Sequence, residues 1–164
     1  MRRKISLLLA LALLALALPM ATGADASSGC WSYRLKERRF AAKINKARTS
    51  RGLGSVKLDA ELSRVARLHT NEMVKAERLH HTSMTTLGRR VTNWVTLGEN
   101  VGVGQTVTTL HSAFMDSPAH RDNVLFNTYN HVGVGTKQVG DRLWVTVIFE
   151  AHTNPGTILE MPTC

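Results

Sequence analysis

Residues 117–150 read SPAHRDNVLFNTYNHVGVGTKQVGDRLWVTVIFE, and the fold turns on how they divide. Ser117 followed by Pro118 marks a helix start. The serine can cap, and proline suits the first helical position, where its missing N–H costs nothing. The short helix it opens is expected to end near residue 125. Two extended segments follow, 131–138 and 142–150, joined by Val139-Gly140-Asp141. In the second segment Leu143, Val145, Val147 and Phe149 alternate with Trp144, Thr146, Ile148 and Glu150. Both sets contain large apolar side chains, so this strand is expected to be covered on both faces.

Upstream the pattern is mostly helical. Phe40, Ile44 and Ala47 recur at helical spacing and predict a helix over about 36–51, stopped by Gly52 and Gly54. Val56 and Leu58 fall in a short connector. Asp59 is a good N-cap for a second helix to about residue 77. Its buried face carries Leu62, Val65, Ala66, His69 and Met73. Residues 79–86 read as a loop, 88–91 as one helical turn and 94–97 as a short strand. Residues 98–104 read as a glycine-rich, mobile loop. A third helix is expected over 106–115, with Val107, Leu110 and Phe114 inward. Helices first and strands last predict an α+β domain rather than a βαβ wind.

The first 26 residues read as an export leader. Arg2, Arg3 and Lys4 precede an apolar run of 14 residues, 5–18, ended by Pro19 and followed by small residues. That run is shorter than the ~20 residues of a membrane span. Ala24-Asp25-Ala26 and Ala21-Thr22-Gly23 are alternative cleavage sites. The expected organisation is a signal peptide at 1–26, a lead-in at 27–35, one domain at 36–152 and a tail at 153–164. No later segment is apolar enough to span a bilayer, so the mature protein is expected to be soluble; it is also expected to be secreted, extracellular and monomeric. Of 21 basic and 12 acidic residues, the leader removes three and one, leaving 18 against 11, or +7. Such a charge favours anionic surfaces, including cell-wall polymers and the cell envelope, or serves solubility alone. The basic residues spread along the chain with no basic block carrying interleaved aromatics, so no nucleic-acid partner is expected.

Cys30 and Cys164 are the two cysteines. Exported thiols pair in an oxidising space. A Cys30–Cys164 disulfide joining the domain's ends is expected to contribute about 4–5 kcal/mol in the chain-entropy model. A lipidated Cys30 is the rival, but Ser27-Ser28-Gly29 lacks the leucine that lipidation requires.

Four polar clusters fall at the ends of regular elements, where rigid scaffolds present functional loops. They are His80-His81-Thr82, Gly98-Glu99-Asn100, Ser117-Pro118-Ala119-His120-Arg121-Asp122-Asn123 and His131-Val132-Gly133-Val134-Gly135. With Ile44-Asn45-Lys46-Ala47-Arg48, Leu58-Asp59, the helix Leu62…Met73 and Leu143-Trp144…Phe149, their order resembles the CAP superfamily of cysteine-rich secretory, antigen and pathogenesis-related proteins, in its bacterial branch. The resemblance covers about residues 40–150. It implies an α-β-α sandwich with a central antiparallel sheet flanked by helices and crossed by a groove. It also implies that His81 and Glu99 occupy two of the groove's histidine and glutamate positions, with His120 as the second histidine. The second glutamate position holds Ser117.

Two imidazoles and a carboxylate are a ligand set for zinc or another divalent metal with an open position. Without metal, the same groups form a hydrogen-bonded cluster pinning three loops. Arg121 is expected to pair with a carboxylate at the groove rim. Asn100 and Asn123 are expected to bond backbone groups. His69 reads as a satisfied core histidine and His80 as the exposed neighbour of His81. His131 and Glu150 are further candidates to reach the groove, and His111 has no assigned role. Ser83 and Ser117 read as loop and cap residues rather than nucleophiles. The favoured function is a groove-bearing binding module for a lipid, peptide or cell-wall fragment. A hydrolase using His81, Glu99 and His120, and a purely structural extracellular domain, are the alternatives.

Overall fold

The computed structural model describes residues 31–153. The leader at 1–26 and both cysteines of the expected disulfide lie outside them. In chain order the elements are α1 (Leu35–Thr49), β1 (Lys57–Leu58), α2 (Ala60–Lys75), α3 (Met84–Arg90) and β2 (Trp94–Gly104). Then come α4 (Val107–Asp116), α5 (Pro118–Leu125), β3 (His131–Val139) and β4 (Arg142–His152). The strand order is β1-β3-β4-β2. β4 is central and pairs antiparallel with β3 and with β2. The two residues of β1 add a parallel edge, Lys57 opposite His131 and Leu58 opposite Val132. The sheet is therefore mixed, although its three long strands are antiparallel. Among the described residues no helix is long and apolar enough to cross a membrane.

Three layers follow from the alternation in β4. Leu143, Val145, Val147 and Phe149 pack with Phe40, Ile44 and Ala47 of α1, Leu110 and Phe114 of α4, and Val124 of α5. On the other face Ile148 joins Leu62, Val65 and Ala66 of α2 and Leu87 of α3. Trp144 packs with Met73 and Val101 on the same side. The strand is thus covered on both faces, as its composition requires.

β2 differs from its expected form. The strand continues through residues 98–104, which read as a loop because Gly98, Asn100, Gly102 and Gly104 hide its alternation. Those positions face α4 and α5. A Cβ on Gly102 would meet the Phe114 and Leu110 side chains at 3.0 and 3.1 Å, and one on Gly98 would collide with the Tyr129 hydroxyl. The glycines make room for side chains rather than for a turn. Leu97 and Val101 mark the opposite face, buried toward α2 and α3. α3 is also longer than expected. Ser83 caps it by accepting from the Thr86 N–H at 3.2 Å, which starts the helix at Met84 despite two weak helix formers, Thr85 and Thr86.

Candidate functional site

The site lies along the outer edge of β2, the end strand of the sheet among the described residues. The 79–83 segment between α2 and α3 reaches it from one side of the sheet, and α5 from the other. On β2, Glu99 stands opposite Ile148 and Asn100 opposite Val147. Adjacent residues of a strand point to opposite faces. Glu99 therefore turns toward α2 and α3, and Asn100 toward α5.

The Glu99 Oε1 accepts from the His81 ring Nδ1 at 2.9 Å and from the Thr82 backbone N–H at 2.8 Å. The carboxylate is 4% exposed and the imidazole 57%. Glu99 Oε2 and the Thr82 hydroxyl are buried without a hydrogen-bond partner among the described residues. The segment carrying His81 is held from below. His69, buried on α2, donates from Nε2 to the His80 carbonyl at 2.8 Å, and the two rings meet edge to face at 5.1 Å. Glu72 of α2 grips Arg90 of α3 at 2.7 Å. The Arg90 bond is the main reason the Glu72 carboxyl lies below its usual range. His69 is the satisfied core histidine expected, and His80 is half-buried rather than exposed.

On the other face Asn100 donates to the His120 carbonyl at 2.9 Å. Asn123 donates to the Asn100 side-chain oxygen at 2.9 Å and to the Glu99 carbonyl at 3.2 Å. The two asparagines clamp α5 to the strand edge, mostly through backbone groups as expected. His120 stacks on Phe114 at 4.9 Å, and its Nδ1 meets the Ser117 hydroxyl at 2.9 Å. Burial first, and the His81 charge second, lower the pKa of His120. His81 and Glu99 thus touch, whereas His120 is joined to them through the Asn100 clamp and the field of His81. Arg121 donates to the Met115 carbonyl at 3.2 Å instead of pairing with a carboxylate across the rim. Ser83 and Ser117 precede α3 and α5 at their cap positions.

The donors do not assemble a metal centre. Among the described residues no group of three or more His, Cys, Asp or Glu side chains is placed to hold a metal ion. Glu99 Oε1 is occupied by two donors and His120 Nδ1 by Ser117.

His131 and Glu150 come together, but not at this site. They are cross-strand partners, both buried, beside the N-cap Asp59 of α2. The His131 Nε2 and Glu150 Oε1 atoms have no hydrogen-bond partner among the described residues. Burial, then the charges of Asp59 and Glu61, raise the Glu150 carboxyl from 4.5 to about 8. Burial raises Asp59 from 3.8 to about 6, with Glu61 adding and His152 opposing. Burial, then His152 and Lys57, lower His131 from 6.5 to about 4.

A pH signature follows. Between 4.5 and 8 the unfolded chain has released the Glu150 proton and the fold retains it, so stability falls as pH rises. His131 acts oppositely, since its contribution is lost as pH falls below 6.5, and it is flat above that. Asp59 is flat above 6. Glu150 therefore dominates this cluster from pH 6.5 to 8, with an expected loss of about 2 kcal/mol. Urea unfolding of Glu150→Gln should lack that slope, and an unchanged slope refutes it.

A three-layer α-β-α sandwich with a histidine–glutamate site at its edge strand is the class this geometry defines. The description "Cysteine-rich secretory protein family" (CAP) matches residues 41–149, and the chain belongs to that family. It is 30% identical over 115 residues to the YkwD protein of Bacillus subtilis (strain 168), covering 66% of this chain and 44% of that protein, so it spans under half of that relative's length. An outer surface protein of Borrelia burgdorferi shares the fold with TM-score 0.65 and 18% identity over 71% of this chain and 92% of that one. An SCP-domain extracellular protein of Bacillus anthracis does so with TM-score 0.62 and 24% identity, over 70% and 40%.

Proposed function

We propose that the chain is an exported, monomeric CAP domain whose β2-edge site binds a ligand carrying a hydrogen-bond donor, within the class of lipids, peptides and cell-wall fragments. The leader pattern at 1–26, the pair Cys30 and Cys164 suited to a disulfide, and the extracellular or outer-surface descriptions of the two structural relatives support export. One observation carries the binding reading. Among the described residues, Glu99 keeps a buried oxygen without a hydrogen-bond partner beside the exposed His81 ring. A buried acceptor without a donor costs free energy that a ligand N–H or O–H recovers on binding.

Glu99→Gln is the sharp test, because Oε1 can still accept from Thr82 while an NH₂ replaces the waiting acceptor. In NMR titrations with muropeptides, fatty acids and short peptides, one class should shift the amides of Thr82, Glu99, Asn100 and His120. The variant should bind it about tenfold to a hundredfold more weakly, the scale of a charge-assisted hydrogen bond. Shifts elsewhere, or equal affinity, overturn the proposal.

The His81–Glu99 pair favours one second reading. An imidazole whose Nδ1–H is held by a carboxylate presents Nε2 as a base, and such a pair can take a proton from water in hydrolysis. Turnover of peptide and peptidoglycan substrates, unchanged in both His120→Ala and Glu99→Gln, eliminates it.

A further inference from the structure

We propose that the outer face of α1 is a binding track for a linear polyanion with repeated phosphate groups and no bases. Lys36, Arg39, Lys43 and Lys46 recur at intervals of three and four residues, so the helix places them on one face. At 1.5 Å per residue they extend over about 15 Å. The core residues Phe40, Ile44 and Ala47 turn the other way, into the sheet. A cleft lies at each end of the row. One of about 410 Å³ adds Arg34 and Lys137 to Lys36 and Arg39. The other, of about 260 Å³, adds Arg51 and His111 to Lys43 and Lys46.

Nothing on the helix neutralises the row. Its one acid, Glu37, is buried and grips Arg67 at 2.5 Å. Among the described residues, Arg39, Lys43, Lys46 and Lys137 have no ion-pair partner. Lys36 bonds a neutral group, Gln138, at 2.6 Å.

The shape selects the occupant. Charges strung along a helix and continued into two clefts match a string of anions better than one compact anion. A membrane surface is a poor match, because interfacial helices add apolar side chains that enter the lipid. Here Leu35 is the one large apolar residue of α1 left exposed. A nucleic acid is a poor match as well, because single strands are held by aromatic side chains that stack their bases. Neither cleft contains Phe, Tyr or Trp. This track is separate from the β2-edge site, since α1 packs over β3 at the other side of the sheet.

The probe is inorganic polyphosphate, added to the full chain. The quadruple variant Lys36→Gln, Arg39→Gln, Lys43→Gln and Lys46→Gln should bind at least tenfold more weakly. The slope of log K against log salt should shrink by about 3, near 0.7–0.9 for each charge removed. A control with the same net charge, Arg64→Gln, Lys75→Gln, Arg78→Gln and Arg89→Gln, should keep the affinity. Lysine acetylation of the unaltered chain, with and without polyphosphate, should show Lys43 and Lys46 protected, which tests the track even if the variant misfolds. Equal loss in the control, no protection, or preference for anionic phosphatidylglycerol vesicles or oligo-thymidine of equal charge would each overturn the proposal.

Discussion

Gly135→Ala should lower stability by at least about 4 kcal/mol, and the double variant with Gly133→Ala should not fold. Both glycines lie on β3 under α2. A Cβ on Gly135 would run into the Ala66 carbonyl carbon and the Arg67 nitrogen, and one on Gly133 into the Leu62 carbonyl carbon, all at under 3.0 Å. These are backbone atoms of a helix, so no rotamer change relieves the clash. The whole of α2 would have to lift from the sheet. Lifting it unpacks Leu62, Val65 and Ala66 from Ile148. It also breaks the bonds of the buried Thr70 hydroxyl to the Gly135 carbonyl and the Thr146 hydroxyl. Overpacking alone costs about 1–3 kcal/mol, and the lost burial and hydrogen bonds add to it. A single domain has only about 5–15 kcal/mol in total. Gly54→Ala is the control, because its Cβ would meet nothing within 4 Å and its φ is not left-handed. Urea unfolding followed by circular dichroism measures all three. A Gly135→Ala midpoint matching wild type would mean that α2 does not rest on β3 as described.

The same glycines explain what the sequence makes legible and what it hides. Gly133 and Gly135 alternate with Val132 and Val134, so the period of a strand survives there and marks β3. In β2 the equivalent alternation, Leu97, Glu99, Val101 and Val103, is broken by the charge of Glu99, and its other face offers only Gly98, Asn100, Gly102 and Gly104. A glycine that faces a phenylalanine ring looks, in sequence, like a glycine that faces water. α3 reads short because Thr85 and Thr86 carry little helical preference, although the Ser83 cap stands in plain view. The contact of His81 with Glu99 follows from family resemblance alone, since a separation of 18 residues has no periodic meaning. Arg121 suggests a carboxylate partner because it is basic, whereas the end of α4 offers a nearer carbonyl. The basic face of α1 is computable once residues 36–51 are read as a helix. Tallying the charges along the chain rather than around the helix conceals it.

Arg48→Met should cost about 4–5 kcal/mol and loosen the β2-edge site from a distance. Arg48 is fully buried although it carries a charge. Its guanidinium donates to the carbonyls of Gly54 at 2.8 Å, Val124 at 2.9 Å, Phe126 at 2.8 Å and Tyr129 at 3.2 Å. Burial pulls its proton affinity down, but four carbonyl dipoles hold the charge in place of a carboxylate. Methionine keeps most of the apolar stem and removes every donor. Each abandoned carbonyl then costs about 1–3 kcal/mol, offset in part by no longer burying a charge and by water reaching those nearest the surface. Three of the four acceptors lie at the end of α5 or in the segment leading to β3. That helix carries His120 and Asn123, so its freedom becomes the freedom of the site. Hydrogen exchange should therefore quicken at residues 118–130 of Arg48→Met before the sheet is affected. Arg48→Lys, with one point of donation in place of a fork, should recover less than half of the lost stability. Full recovery by lysine, or unchanged exchange in α5 of the methionine variant, would show that burial of the stem rather than the four bonds holds this corner together.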